Sequence, residues 1–349
     1  MTPLPSIQIL RALAALAVAY GHAGNDLMRL TGGIGAPLQG LSGAGVDLFF
    51  VISGFVMVLS SAPLFGTPGG AGVFLRRRLA RIVPLYWATT TLFLAVMVLV
   101  PGAVRADGAS LADIVRSFLF VPYLRADTGL IQPLYSLGWT LNYEMFFYVL
   151  FAAGLALTMA RGAAAVAGVL VLIVGAGAVF VPEVAALRFW SDPIMLEFAL
   201  GMGIGLAHVR GVVVSRAAAV AAGCAALAAF GWANQGGVLP IGWARFYGAG
   251  LPMAVLVAAV ALAPAVPLLS LFKPLVALGD ASYALYLIHP MVIRPLVLVW
   301  ERAGWGGTAL FIVAALAASA TVALVIFRWL ERPVTRALQG WARGEPGRR

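Results

Sequence analysis

The sequence predicts an all-α, polytopic membrane protein of about ten spanning helices. Three observations predict it. Of 349 residues, 62% are hydrophobic and only 10% charged, at a mean hydropathy of +0.99, where a soluble domain carries about 25% charge. Apolar runs of about 20 residues, the length that crosses a bilayer, recur along the chain. The arginines fall mostly in the breaks between those runs, so the net charge of +10 reads as loop charge in a membrane protein and needs no nucleic-acid partner.

Span one, Ile7–Met28, carries Arg11 and His22. Eleven positions at 1.5 Å rise put them about 16 Å apart on one helix face, and ionisable groups inside a lipid-spanning helix are functional suspects. No basic stretch precedes its apolar part, so it reads as a retained helix rather than a cleaved leader. Span two, Gly43–Ser61, contains Asp47. Loop 62–81 ends in Arg76-Arg77-Arg78-Leu79-Ala80-Arg81 and leads into span three, Ile82–Val100, which opens with Tyr86 and Trp87 near its start. Loop 101–137 holds an apolar segment, Leu111–Val121, suited to an interfacial or re-entrant position. Span four, Gly138–Met159, contains Glu144, and span five is Ala163–Val181. Span six, Ile194–Val209, has Glu197, a Gly201-x3-Gly205 pair that predicts close helix packing, and His208 at its inner end as an interfacial residue. Spans seven to ten are Ala217–Trp232, Phe246–Ala263, Leu275–Val299 and Thr308–Leu330, with loop 264–274 before the ninth, which carries His289 and Arg294. No fixed-period repeat interrupts this pattern. One transmembrane domain over 1–349, without a fused soluble domain, is the expected organisation.

Orientation follows from the basic residues. With the N-terminus inside, the inner side collects Arg76, Arg77, Arg78, Arg81, Arg161, Arg210, Arg216, Lys273, Arg328, Arg332, Arg336, Arg343, Arg348 and Arg349. The outer side receives Arg29, Arg105, Arg116, Arg125, Arg188, Arg245 and Arg302. Fourteen against seven predicts both termini in the cytoplasm. Cys224 is the only cysteine, which excludes an intramolecular disulfide. The three histidines lack any metal-ligand spacing, so no metal is expected.

This topology gives each polar residue a depth. His22, Asp47, Glu144 and His289 fall in one layer in the outer half of the bilayer. A carboxylate beside an imidazole fixes its tautomer and suits it to general-base work; the alternative is polar glue between helices. Arg11, Arg78 and Arg81 form a second layer near the cytoplasmic face. Arg78 and Arg81 share a helix face at i,i+3, an arrangement able to clamp phosphates. For Arg76 and Arg77 the alternative is a topology anchor touching anionic lipid, and for Tyr86 and Trp87 an aromatic belt. Glu197 joins the polar layer or pairs with Arg188, and Arg294 pairs with a carboxylate that the sequence does not identify.

Five segments in order resemble the acyltransferase family 3 membrane proteins, which acylate surface glycans and some secondary metabolites. They are Arg11-x10-His22; Gly45-Val46-Asp47-Leu48-Phe49-Phe50-Val51-Ile52-Ser53-Gly54-Phe55; Arg78-Leu79-Ala80-Arg81 with Pro84-Leu85-Tyr86-Trp87; Ser136-Leu137-Gly138-Trp139-Thr140-Leu141-Asn142-Tyr143-Glu144 with Phe147-Tyr148; and Ser282-Tyr283-Ala284-Leu285-Tyr286-Leu287-Ile288-His289-Pro290. Thr140 stands where the family often has Ser, and the hydrolase-like domain fused to some relatives is not expected. The resemblance implies a ten-helix bundle and acetyl-CoA or another acyl-CoA as donor. It carries the family's Arg and His of the first helix onto Arg11 and His22, and its Arg-x-x-Arg pair onto Arg78 and Arg81.

The expected mechanism places the CoA phosphates on Arg78, Arg81 and Arg11 and the thioester near His22. His22, oriented by Asp47 or Glu144, removes the acceptor's hydroxyl proton, and Tyr283 or Trp139 donates to the oxyanion. Trp139, Tyr143, Tyr283 and His289 are expected to contact substrate, with Ser53 and Ser282 as alternative covalent carriers. The expected partners are acyl-CoA, a surface or lipid-linked saccharide and membrane lipids, in a bacterial inner membrane. Three other readings use the same residues: acylation of a hydrophobic small molecule such as a macrolide, a proton-coupled transporter, and a non-catalytic scaffold.

Overall fold

A computed structural model describes residues 4–31, 40–100, 109–235, 239–265 and 272–341. Arg105, Asp107, Arg343, Arg348, Arg349 and most of loop 264–274 lie outside the described residues. Among the described residues every regular element is helical, and the one β-bridge, Leu124 with Ile131, is isolated. In chain order the helices are α1 (Pro5–Thr31), α2 (Gly40–Ser61), α3 (Gly70–Leu99), α4 (Leu111–Phe118), α5 (Trp139–Gly154), α6 (Met159–Phe180), α7 (Ala185–Trp190), α8 (Met195–Val209), α9 (Arg216–Ala233), α10 (Gly242–Arg245), α11 (Leu251–Ala261), α12 (Lys273–Asp280), α13 (Ser282–Arg302), α14 (Thr308–Ile326) and α15 (Arg332–Trp341). A π-turn, Phe246–Gly250, joins α10 to α11, and a second, Phe327–Glu331, joins α14 to α15. The chain is an all-α polytopic membrane protein.

Nine helical stretches among the described residues are long and apolar enough to cross a membrane, and they fall on nine of the ten expected spans. The exception is the fourth. There α5 has 16 residues, about 24 Å at 1.5 Å per residue. Its end is set by a tight hairpin: a Cβ on Gly162 of α6 would stand 2.3 Å from the Gly154 carbonyl oxygen. The two backbones touch there, and α5 ends five residues before the expected end of the span at Met159.

The described residues form two compact units, residues 1–60 with 197–330, and residues 61–196 with 331–349. In the first, α1 packs on α12, α13 and α14. Between helices in lipid there is little hydrophobic drive, because lipid tails are as apolar as leucine; close van der Waals packing and hydrogen bonds decide instead. The sequence supplies the small residues this needs. A Cβ on Gly54 of α2 would lie 2.1 Å from the Phe198 carbonyl oxygen, and one on Gly201 of α8 2.0 Å from that of Val51. The Gly201-x3-Gly205 pair is therefore a helix contact, as its spacing predicts. Ile7, Leu10, Leu48, Val51, Phe55, Met253 and Val257 fill the core around α1, α2 and α11, and Ile293, Val297, Trp300 and Phe311 fill that around α13 and α14.

In the second unit α3 packs on α5 and α15. The segment expected to be interfacial or re-entrant is the short helix α4, opened by a reciprocal Ser110–Asp113 capping box. Leu111 and Val115 on it, and Leu119 just after it, are exposed, an amphipathic face of the kind that meets lipid. It is latched to α3, where Tyr86 Oη donates to the Ser117 carbonyl and Trp87 Nε1 to that of Phe118, both at 2.9 Å. Those two aromatics thus hold an element in place. Tyr143 stacks on Phe189 at 3.8 Å and Phe146 on Trp190 at 4.6 Å, fixing α7 against α5.

Candidate active site

In the first unit, the common direction of α1 and α13 organises the polar residues: Arg11 meets the start of α13 and His22 meets its middle, so the two helices run parallel. Arg11 Nη1 donates to Gln8 Oε1 at 3.1 Å, an i−3 partner on its own helix, and Nη2 donates to Ser282 Oγ at 2.8 Å. Gln8 and Ser282 are buried. A planar guanidinium held by two acceptors is fixed in direction as well as position. Ser282, weighed as a covalent carrier, has its oxygen engaged by this cation.

Eleven residues further along α1, the His22 ring stands edge-on to that of His289, with centroids 4.9 Å apart and planes at 62°. His22 is partly exposed and His289 fully buried. His289 Nδ1 lies 3.1 Å from the Leu285 carbonyl oxygen, one turn back in α13. Tyr286 and Phe49 continue the aromatic contacts, at 6.3 Å from His289 and 6.2 Å from each other. The two imidazoles expected to share a layer therefore do meet.

The carboxylates take other partners. Asp47 is fully buried, and Arg245 holds it in a two-pronged ion pair, Nε to Oδ1 at 2.9 Å and Nη2 to Oδ2 at 3.0 Å. Arg245 Nη2 also donates to the Gly43 carbonyl at 3.3 Å. The expectation that Asp47 orients His22 meets this arrangement instead: both carboxylate oxygens accept from a guanidinium. Arg245 had read as an outer loop charge; the signal available was a lone cation at the mouth of an apolar span. Arg294 finds its carboxylate in Asp26, at 3.7 Å. Glu197 packs against the π-turn, where a Cβ on Gly250 would meet its Oε1 at 2.5 Å. His208 Nδ1 lies 2.8 Å from the Ala261 carbonyl oxygen. Tyr283, next to Ser282, is partly buried.

The second unit holds the other cluster. Tyr148 Oη donates a short hydrogen bond to Glu144 Oε1, one turn away on α5. Arg78 lies within electrostatic reach of both, with Arg81 and Arg77 close by, and its guanidinium sits 5.5 Å from the centroid of the Phe74 ring. Tyr148 meets the same ring edge-on at 5.7 Å. Arg78 and Arg81 are partly buried, whereas Arg76 and Arg77 are exposed. The helix α15 covers this end of α3, with Thr335 Oγ1 donating to the Ala80 carbonyl at 3.4 Å and Gln339 Nε2 to that of Arg77 at 3.5 Å. Trp139 and Tyr143 meet edge-on, with ring centroids 5.9 Å apart. Asn142, between them in sequence, is buried with neither end of its carboxamide hydrogen-bonded among the described residues. Tyr148 was legible as the i+4 neighbour of Glu144; Asn142 gave no signal beyond its place in a motif.

The comparisons with known proteins agree with this architecture. A family model described as an acyltransferase domain matches residues 4–328. The chain is 32% identical over 298 residues to the exopolysaccharide production protein ExoZ of Rhizobium meliloti, covering 85% of this chain and 90% of that one. It is 30% identical over 315 residues to the acyltransferase MdmB of Streptomyces mycarofaciens, covering 83% and 79%. No solved structure matches the chain. The match runs through both clusters and nearly every helix, and the chain belongs to the acyltransferase family 3, as an integral-membrane acyltransferase.

Proposed function

We propose that the protein moves an acyl group, in the first place acetyl, from acyl-CoA to a hydroxyl of a cell-surface or lipid-linked saccharide, in a bacterial inner membrane, with His22 as general base. The observation that carries this is the His22–His289 contact: a partly exposed imidazole, backed by a buried one, in a membrane acyltransferase. The similarity to a protein named for exopolysaccharide production supports the class of acceptor.

His22 takes the acceptor's hydroxyl proton as the oxygen attacks the thioester carbonyl; the carbon–sulfur bond then breaks and the proton passes to the thiolate. Tyr283, in the same unit as His22, serves as donor to the oxyanion. In the second unit, Arg78 and Arg81 are the anchor for the donor's phosphates. Two guanidiniums at i,i+3, with Arg76 and Arg77 beside them, fit a polyanion by charge and by donor geometry. Glu144, bonded to Tyr148, lies within electrostatic reach of Arg78, and Arg11, fixed by Gln8 and Ser282, adds oriented positive charge in the first unit.

The test is transfer from labelled acetyl-CoA in membrane vesicles, together with mass spectrometry of surface glycans with and without the gene. His22→Ala is expected to lower transfer by about 100-fold or more while the protein stays folded in the membrane; retained transfer removes His22 from the base role. Arg78→Gln and Arg81→Gln are expected to raise KM for acyl-CoA about tenfold with kcat little changed. Glycans that are the same mass in both strains, with label found on a lipophilic small molecule, would replace the saccharide as acceptor.

A further inference from the structure

Helix α15 carries Arg332 and Arg336, one turn apart on one face, and no acidic residue from Arg332 to Trp341. Its Thr335 reaches the Ala80 carbonyl and its Gln339 that of Arg77. In the second unit α15 therefore runs antiparallel to the start of α3, and Arg336, next to Thr335, comes level with the turn from Arg77 to Arg81. Helix α3 has no acidic residue either, from Gly70 to Leu99. Like charges four apart on a helix repel. Two such pairs, Arg77 with Arg81 and Arg332 with Arg336, stand here on helices in contact. The carboxylates near by are Glu144, bonded to Tyr148, and Glu331, buried just before α15. Against Arg76, Arg77, Arg78, Arg81, Arg332 and Arg336 they leave this end of the unit strongly positive. An arrangement that is costly by itself and rich in forked donors suits a bound polyanion.

Exposure puts these cations in order. Arg78 and Arg81 are partly buried, whereas Arg332 and Arg336 are exposed. The phosphates of an acyl-CoA are ordered too: behind the thioester come the pantetheine arm, the diphosphate and, at the far end, the ribose with its 3′-phosphate. The thioester enters the bundle to be attacked, so the 3′-phosphate stays outermost. We infer that Arg332 and Arg336 of α15 hold the donor's 3′-phosphate, beside the Arg78 and Arg81 anchor for its diphosphate. A phosphate monoester carries a charge of about −1.5 to −2 at pH 7 and three acceptor oxygens, enough to engage both guanidiniums. Helix α15 thereby becomes the element that distinguishes a CoA thioester from one lacking the 3′-phosphate. The inference rests on acyl-CoA as donor and on Arg78 and Arg81 as its anchor. Anionic lipid headgroups offer the same phosphate chemistry, so the experiment separates the two sources.

Transfer by the full chain in vesicles is compared with two donors, acetyl-CoA and acetyl-3′-dephospho-CoA. The parent is expected to have a KM about tenfold lower for acetyl-CoA. Arg332→Gln with Arg336→Gln is expected to raise that KM about tenfold and to leave the dephospho donor within about twofold, so that the preference disappears. The unchanged dephospho donor is also the control for folding. Arg78→Gln with Arg81→Gln is expected to raise both KM values and keep their ratio. A parent indifferent to the 3′-phosphate, or an α15 double variant that keeps the preference, overturns the proposal. Equal loss with both donors overturns it as well; if that loss is seen in vesicles with anionic lipid and vanishes in pure phosphatidylcholine, the two arginines serve lipid headgroups. A second measurement needs no variant: adenosine 3′,5′-bisphosphate is expected to inhibit the parent about tenfold more strongly than adenosine 5′-phosphate, and equal inhibition overturns the site. If the parent takes label from neither donor, the acyl-CoA reading fails and this one with it. CoA-dependent transfer with an unaltered preference in the α15 variant removes the α15 site alone.

Discussion

Asp47 shows what a single buried charge demands. Fully enclosed in the first unit, it depends on Arg245 for both its hydrogen bonds and its neutralisation. Removing one partner of such a pair leaves an uncompensated charge, at a cost of about 3–5 kcal/mol. Arg245→Met is therefore expected to lower the Tm in detergent sharply, and the double substitution Asp47→Leu with Arg245→Met to recover most of it; a single variant as stable as the parent would mean that the pair is not needed for the fold. The residue scale is also where the sequence was most and least informative. Gln8 and Tyr148 lie one turn from Arg11 and Glu144, within reach of helical spacing. Arg245 lies 198 residues from Asp47 and Ser282 lies 271 from Arg11. Periodicity carries no information over such distances, so the Asp47–Arg245 ion pair was invisible.

At the scale of elements, small residues set how closely helices meet. A Cβ on Gly54 or Gly201 would run into backbone rather than a movable side chain, so Gly201→Ala is expected to push α2 and α8 apart and cost about 1–3 kcal/mol, read as a lower Tm. By contrast Gly168→Ala on α6, where a Cβ meets nothing within 4 Å, is expected to be neutral. The turn after α4 is held differently. Arg125 is buried, donates to the Leu134 carbonyl at 3.1 Å and forks onto Asp127. Those bonds hold the Asp127 carboxyl below its ordinary value of 3.8. A carboxyl so shifted contributes stability above pH 3.8 that fades as pH falls through its lower folded value; because the pair is partly solvated, the contribution is about 1 kcal/mol or less. Amide exchange in residues 123–135 is expected to quicken only below about pH 4, and Asp127→Asn to exchange fast at every pH. Length and hydropathy alone located nine spans. The fourth was overdrawn because nothing in an apolar run marks where two glycines let it fold back on itself.

At the scale of the whole molecule, the excess of inner over outer arginines predicts an orientation that can be checked directly. With Cys224 replaced by serine, single cysteines at Asp113 and at Arg336 are expected to label from outside and only after permeabilisation, respectively, with a membrane-impermeant thiol reagent. The reverse pattern would invert the topology. The chain also returns to its first unit after completing most of the second, and this order has a consequence for how the protein is made. Asp47 is synthesised 198 residues ahead of Arg245. At about 5–20 residues per second, that is a wait of about 10–40 s. Through that interval a carboxylate destined for complete burial lacks the arginine that holds it in the finished fold. The nascent α2 must then wait in a half-inserted or protonated form, or beside the insertion machinery, until the arginine arrives. The ion pair that stabilises the finished enzyme is thus also the point in biogenesis at which a stalled or truncated chain becomes conspicuous to membrane quality control.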